Sequence, residues 1–374
     1  MDFAFTEEQQ MFRNTVRDFL EKEVLPLIPE AEKTGKYPVH LLRKMGELGF
    51  LGIHYPKEYG GSEAPMVTQC MFAEDTGRVS ICFTDTPSTV VGCGKSICLS
   101  ATEEVKRRYM PGVVRGETQI TPALAEPSGG SDLGGIKTTA VRDGDSYIIN
   151  GQKTFIPYVE LADFALVLAT IDPSKRTAGL TQLLVPKDTP GYSVSPLRFM
   201  GLHFSGYGSI FLDNCRVPKE NLIGGEGEYL AVAEFLGDER VRVAAAAVGS
   251  ADACYKEALK YSKERVAFGR PIGKFQAISS RLVDMAIEVE TARWLTYWAA
   301  SLWDRGQKAV KESTMAKLYA TEMGLRVTES AMRILAGWGY IEGSLIERHF
   351  RDARGYLFGA GTPEIERIVI SREL

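Results

Sequence analysis

No feature of this chain limits its possible folds more than the stretch GEYLAVAEFLGDERVRVAAAAVGSADACYKEALKYSKERVAF, which is nearly free of helix breakers apart from isolated glycines. A helix of that length with an apolar stripe must bury the stripe against other helices. Two more such stretches follow, at roughly 276–304 and 308–336. The segment 228–374 is therefore expected to form a C-terminal four-helix bundle.

The rest of the chain divides by texture. Residues 1–120 read as an N-terminal α-helical domain. Thr6 and Gln9 have capping-box spacing, and Phe12, Val16, Phe19 and Leu20 recur at helical intervals until Pro26. VHLLRKMGELGFLGIHYP is a second amphipathic helix, stopped by Gly49, Gly52 and Pro56. Between 121 and 227 the pattern changes to short β-branched or alternating runs. TTAVRDGDSYIINGQKTFI carries turn signals at Asp143-Gly144 and Asn150-Gly151, and ADFALVLATI, LTQLLVPKDTPGYSV and GSIFLDNCRVP continue as strands between Gly/Pro turns. The expected fold class is α+β, with a central antiparallel β domain between two helical ones. No GxGxxG follows a strand, so a Rossmann nucleotide site has no support.

Composition excludes several function classes. With 374 residues, 44% hydrophobic and 25% charged, the chain can bury a sizeable core, and two or three packed units are expected. A net charge of −4 gives no support to a nucleic-acid or anionic-membrane surface. No apolar run approaches the roughly 18 residues of a membrane span. The opening MDFAFTEEQQMF has neither a basic nor an apolar leader region, so no signal peptide is expected. Cys70, Cys82, Cys93, Cys98, Cys215 and Cys254 form no CxxC and no regular framework, which points to reduced thiols in a cytoplasmic protein. His40, His54, His203 and His349 lie far apart, so no histidine-built metal site is expected.

Six segments in order carry a resemblance: MGELGFLGIHYPKEYGG, ALAEPSGGSD, NGQKTFI, ERVAFGRPIGKFQ, RILAGWGY and GTPEIERIVI. With them the chain resembles the acyl-CoA dehydrogenase family over essentially its whole length. The resemblance implies FAD, an acyl-CoA thioester substrate, an electron-transferring flavoprotein as acceptor and a homotetramer. It places FAD against Leu124, Ala125, Ser131, Phe155, Ile156 and Pro157, and against Arg265, Phe268 and Gln276 of the clamp segment. Arg333 and Gly337, in a turn contacted across subunits, and Thr362 and Glu364 of the tail complete that set. Ser131, Arg240 and Gly361 are implied to face the CoA thioester. The chemistry suits these residues. Small residues in EPSGGSD let backbone N–H groups approach a ligand, Arg265 and Arg270 offer guanidinium forks to phosphate, and Phe155 could stack on a flavin ring. A plain surface turn, solvated helix-end charges and a strand-core aromatic are the plainer alternatives.

The family reaction takes a proton from Cα and a hydride from Cβ. It needs hydrogen-bond donors on the thioester oxygen and a carboxylate in an apolar pocket. In most of the family one residue, immediately before the final Gly-Thr, supplies both the Glu base and a backbone donor. Here that residue is Ala360, in GYLFGAGTPEIERI, so the N–H survives and the carboxylate does not. In the isovaleryl- and long-chain-type branches the base instead precedes an arginine on a bundle helix, and Glu239-Arg240 in LGDERVRV match that pair. The base is therefore expected at Glu239, the alternative being a solvated helix glutamate. Asp85, in SICFTDTPST, is a second candidate, with a turn or capping acid as its alternative.

Three departures from the family pattern accompany the vacancy. Gly237 stands where an aspartate is usual, with the acid moved to Asp238. Ala125 replaces a hydroxyl residue, and Pro157 replaces a threonine whose hydroxyl approaches the flavin. The expected function is an FAD-dependent acyl-CoA dehydrogenase for a branched or alicyclic acyl group. The open alternatives are 1,4-elimination on a cyclic enoyl-CoA with Asp85 as base, enoyl-CoA reduction, or a non-catalytic CoA- or acyl-carrier-binding relic.

Overall fold

Thr6 caps the first helix as its spacing requires. Its hydroxyl accepts from the Gln9 N–H at 3.2 Å, and the Gln9 side chain accepts from the Thr6 N–H at 3.0 Å. The computed structural model describes residues 4–228 and 230–374, the side chains of 85–90 and 230–235 lying outside the description. Helix α1 (Glu7–Phe19) runs through a π turn and a 3-10 turn around Pro26 into α2 (Ile28–Thr34). The second expected helix is shorter than its stretch. It spans α3 (His40–Glu47), and the glycines beyond it coil the chain towards Pro56. Helices α4 (Met66–Val79), α5 (Ile81–Ser100) and α6 (Glu103–Val114) complete the N-terminal domain.

The middle domain is one eight-stranded sheet. Its strands are β1 (Ile120–Ala123), β2 (Thr139–Asp143), β3 (Ser146–Ile156), β4 (Phe164–Thr170), β5 (Leu180–Pro186), β6 (Tyr192–Pro196), β7 (Gly208–Pro218) and β8 (Leu222–Ile223). The order is β6-β7-β3-β2-β4-β5-β8, with β1 paired to β4. The expected purely antiparallel sheet is corrected to a mixed one, because β1 and β2 both run parallel to β4. The reason is topological. Strand β2 lies between β3 and β4, pairing antiparallel with the first as its hairpin partner and parallel with the second, which the chain reaches by a longer connection from β3.

The Asp143-Gly144 turn forms and pairs Asp143 with Ser146, but Asn150-Gly151 is not a turn. It is a bulge inside β3, where the register to β7 slips between Ile149 and Gly151. Gly151 takes φ 156, and a Cβ there would lie 2.4 Å from Thr138 Oγ1. A second slip, between Lys153 and Ile156, leaves Phe155 at φ 58 with its ring 60% exposed.

The C-terminal domain is built on α7 (Leu230–Glu264), then a hairpin of β9 (Val266–Ala267) and β10 (Arg270–Pro271), then α8 (Gln276–Asp304) and α9 (Val310–Leu335). The short α10 (Gly337–Tyr340), α11 (Leu345–Tyr356) and α12 (Pro363–Ser371) follow, and α11 packs on α7 and α9 as the fourth bundle member. Helix α7 is central, touching α4, α5, α8, α9 and α11. Its row Ala244–Ala247 keeps it slim, and glycines bring α4 into backbone contact. A Cβ on Gly77 would lie 2.4 Å from Ala246 O, and one on Gly249 would lie 1.9 Å from Glu74 O. One apolar core thus runs from the N-terminal helices into the bundle, and a separate core fills the sheet. No described helix is long and apolar enough to cross a membrane, and the six cysteines form no disulfide among the described residues.

Candidate active site

The turn between α11 and α12 brings Ala360 to φ 54, a left-handed conformation that a non-glycine residue holds only when its surroundings impose it. Those surroundings are explicit. Lys317, fully buried on α9, donates to Leu357 O at 2.9 Å and to Gly361 O at 2.7 Å. Arg240 Nε donates to Ala360 O at 3.4 Å, and its Nη1 to Thr314 Oγ1 at 3.2 Å. Thr362 caps α12 by accepting from the Ile365 N–H. The Ala360 N–H itself donates to no protein acceptor among the described residues. Arg240 and Gly361 thus stand together at this turn.

Beneath the turn lies Glu366, fully buried, with Oε1 2.8 Å from Lys317 Nζ. Burial pushes its carboxyl up to about 7 against the pull of the Lys317 charge. Neither Lys317 nor Glu366 was singled out from the sequence. The available signal was a lone lysine among small residues that recur at helical spacing, Ser313, Ala316, Ala320 and Gly324.

Successive residues on a helix diverge by about 100°. Arg240 therefore turns to the tail while Glu239 turns elsewhere. Glu239 is only 7% exposed, which removes the solvated-glutamate alternative. Its Oε2 accepts from Arg242 Nη2 at 2.5 Å. Arg242 also donates to Asp238 Oδ1 at 3.1 Å and Gln69 Oε1 at 3.3 Å, and Lys95 of α5 pairs with Asp238. Burial would raise the Asp238 carboxyl, but Arg242 and Lys95 hold it below its usual range. His54 bonds Gln69 at 2.9 Å, and burial, aided by Arg242 and Lys95, keeps it neutral. Two cations, Arg242 and Lys95, thus face the carboxylates of Glu239 and Asp238. Asp85 lies on α5, and its side chain lies outside the described residues.

The flavin-side residues form a patch at the mouth of the sheet. Thr154 N donates to Ala125 O at 2.9 Å, and Lys153 Nζ to Leu124 O at 3.0 Å and to Glu126 Oε1 at 2.8 Å. Glu126 also accepts from the N–H groups of Lys137 and Thr138, at 2.7 and 2.9 Å. Burial alone would raise the Glu126 carboxyl; hydrogen bonds from Lys153, Thr138 and Lys137 hold it at about 2. Burial lowers Lys153 to about 8. This pair, unassigned in the sequence reading, fixes the base of the glycine-rich loop that carries the exposed Ser131. Ile156 is buried in the sheet, and Pro157 O accepts from Thr121 Oγ1 at 2.6 Å. Of Phe155, Ile156 and Pro157, Phe155 alone projects.

The remaining expected residues lie on the outer bundle. Arg265 and Gly337 share a groove of about 500 Å³ with Tyr261, Ile272, Ile334 and Trp338. Phe268, at the hairpin tip, is 95% exposed, and the Arg270 guanidinium lies 4.2 Å from the Phe275 ring centre. Gln276 opens α8 in solvent, Arg333 pairs with Glu329, and Glu364 is exposed on the first turn of α12. The residues present fit FAD. An exposed aromatic ring beside a glycine-rich loop suits a flavin ring, and an apolar groove edged by an exposed arginine suits a nucleotide with phosphates.

Elsewhere, Glu32, Cys82 and Asp352 place ligand-type atoms within 4.8 Å of one another. Arg351 pairs with Glu32, and the Leu202 N–H donates to Asp352, so this cluster serves as a junction between domains.

Comparisons with known proteins agree along the chain. Family models described as the acyl-CoA dehydrogenase N-terminal, middle and C-terminal domains match residues 6–117, 121–215 and 225–374. The chain is similar to a 3-(aryl)acrylate reductase of Clostridium sporogenes (strain ATCC 15579), 38% identical with 99% of each chain covered. It is also similar to an acyl-CoA dehydrogenase of Bacillus subtilis (strain 168), 38% identical over 99% of this chain and 98% of the relative. Among solved structures it matches a chain from work on the electron transferring flavoprotein of Acidaminococcus fermentans and flavin-based electron bifurcation. That match has TM-score 0.97 and 38% identity and covers 100% of this chain and 99% of the other.

Proposed function

The chain belongs to the acyl-CoA dehydrogenase family of FAD-dependent oxidoreductases, and from that premise we propose that it oxidises an acyl-CoA at Cα–Cβ to the 2-enoyl-CoA. FAD, when bound against Phe155, supplies the hydride acceptor. The protein's own work is done at the tail turn and on α7. The Ala360 N–H donates to the thioester oxygen and stabilises the charge that develops there as the Cα proton leaves. Glu239, dehydrated at the end of the Arg242 group, takes that proton. Arg240, next to Glu239 on α7, holds the Ala360 carbonyl, so the helix that carries the base also braces the turn that carries the donor.

The observation that carries this reading is the Ala360 turn, whose N–H stays unspent among the described residues while the Leu357, Ala360 and Gly361 carbonyls are held by Lys317 and Arg240. Glu239→Gln keeps the shape of the side chain and removes the base. Its flavin reduction by substrate should fall by roughly 10³-fold while FAD stays bound. Reduction at near the parent rate would sink the assignment.

A base on the bundle helix favours a branched or alicyclic acyl group, and an electron-transferring flavoprotein is the proposed acceptor. The disulfide-free cysteines support a cytoplasmic setting. A second reading draws on the missing carboxylate at Ala360 and on the relative named for acrylate reduction. In it the protein reduces an enoyl-CoA, or eliminates across a cyclic enoyl-CoA with Asp85 as base. Products from a panel of linear and cyclic acyl-CoAs separate the two, since turnover of linear saturated thioesters counts against the second.

A further inference from the structure

We propose that the buried Lys317–Glu366 pair is the positioning device for the thioester-oxygen donor: α9 and α12 together set the direction of the Ala360 N–H. The inference rests on the reading of that N–H given above, and holds whichever carboxylate is the base and whichever way the reaction runs.

A lysine buried in the middle of a helix of small side chains is costly unless its ammonium protons all find acceptors. Lys317 donates to two carbonyls, Leu357 O at 2.9 Å and Gly361 O at 2.7 Å, and its Nζ lies at ion-pair distance, 2.8 Å, from Glu366 Oε1. The two carbonyls bracket Ala360, so one charged group pins both ends of the turn that presents its N–H. Residues at i and i+3 on one helix share a face. One turn earlier on α9, Thr314 anchors Arg240, which grips the Ala360 carbonyl itself. Helix α9 therefore holds the turn directly at the Leu357 and Gly361 carbonyls and, through Arg240, at the Ala360 carbonyl. Such over-determination is what a non-glycine residue at φ 54 requires.

Glu366 does a different job. Neither of its oxygens makes a hydrogen bond among the described residues, although one lies at ion-pair distance from Lys317. A Cβ placed on Gly361 would lie 3.8 Å from Glu366 Cγ. Glu366 supplies the counter-charge that keeps Lys317 an ammonium, and its side chain floors the turn. It is a positioning residue, as Lys317 is.

Removing one partner strands a buried charge, whereas replacing both by apolar groups of similar volume is tolerated in buried pairs. The test is therefore the double variant K317M/E366L, with Lys317→Arg beside it. Arginine keeps the charge, but its planar fork cannot aim donors at both carbonyls. The probe is acetyl-CoA, which has no Cβ and so cannot be oxidised; its thioester C=O stretch is read by difference Raman spectroscopy on the FAD-loaded protein. The parent protein should lower that stretch. The double variant should keep FAD and a cooperative melt, lose at least half of the lowering, and lose about 10- to 100-fold in kcat with little change in KM. Lys317→Arg should fall between. A full parent-sized lowering in either variant overturns the proposal. If the parent protein itself shows no lowering with acetyl-CoA at saturation, the Ala360 donor reading falls first and takes this inference with it.

Discussion

Asp352 shows how one buried residue ties stability to pH. Its Oδ1 accepts from the Leu202 N–H at 2.7 Å, Cys82 Sγ lies 3.9 Å from Oδ2, and Glu32, Arg348 and Arg351 are the charged neighbours. Burial, with the Glu32 charge added, pushes the Asp352 carboxyl up to about 7. A raised folded-state pKa means that the protonated form is favoured in the fold. Its contribution is full below the unfolded value and is lost as pH rises through about 7. Asp352→Asn keeps the acceptor and cannot ionise. Its melting temperature relative to the parent protein should therefore climb by several degrees between pH 5 and pH 8. A flat difference across that range would show that Asp352 does not titrate there. At this scale the site was partly legible: the vacancy at Ala360 and the Glu239-Arg240 pair stand in the sequence, whereas the partners of Lys317, Lys95 and Lys153 do not. A buried ion pair is defined by what faces it, and local spacing carries no record of that.

At the scale of elements, Phe155 is displayed because β3 slips twice against β7. Asn150-Gly151 has the local signature of a hairpin turn, and the chain uses it as a bulge because strands wait on both sides of β3. The positive φ and the missing Cβ that a turn would have used are used here to let β3 pass Thr138. Gly151→Ala should cost about 2–4 kcal/mol in denaturant unfolding, through backbone strain and the contact with Thr138 Oγ1. It should also weaken FAD retention, since Thr154 and Phe155 lie on the same strand. A cost within about 0.5 kcal/mol would mean that the bulge relaxes freely. The helices were more legible, because α1 and α7–α9 follow from apolar spacing, caps and breakers alone.

At the scale of the whole molecule, apolar surface remains bare where a single chain ends. Phe268, Trp338 and Tyr340 are all largely exposed, and they lie on the outer bundle that also carries the Arg265 groove. Such surface marks association, and we propose the homotetramer that the family resemblance implies. Sedimentation should return a four-chain species, and Trp338→Asp should shift it towards smaller species and lower the FAD content. A parent protein that sediments as a monomer would refute the proposal. The sequence by itself determined the helix–sheet–helix order and the long helices, because each is written in patterns a few residues long that decide what a segment must bury. It also determined that Ala360 carries no acid. Tertiary structure alone decided that Glu239 is buried, that Lys317 grips the tail turn 44 residues ahead of it, and that Lys95 meets Asp238 across 143 residues. Those contacts depend on how elements distant in the chain pack, and a polar group taken out of water must find its partner wherever that packing places one.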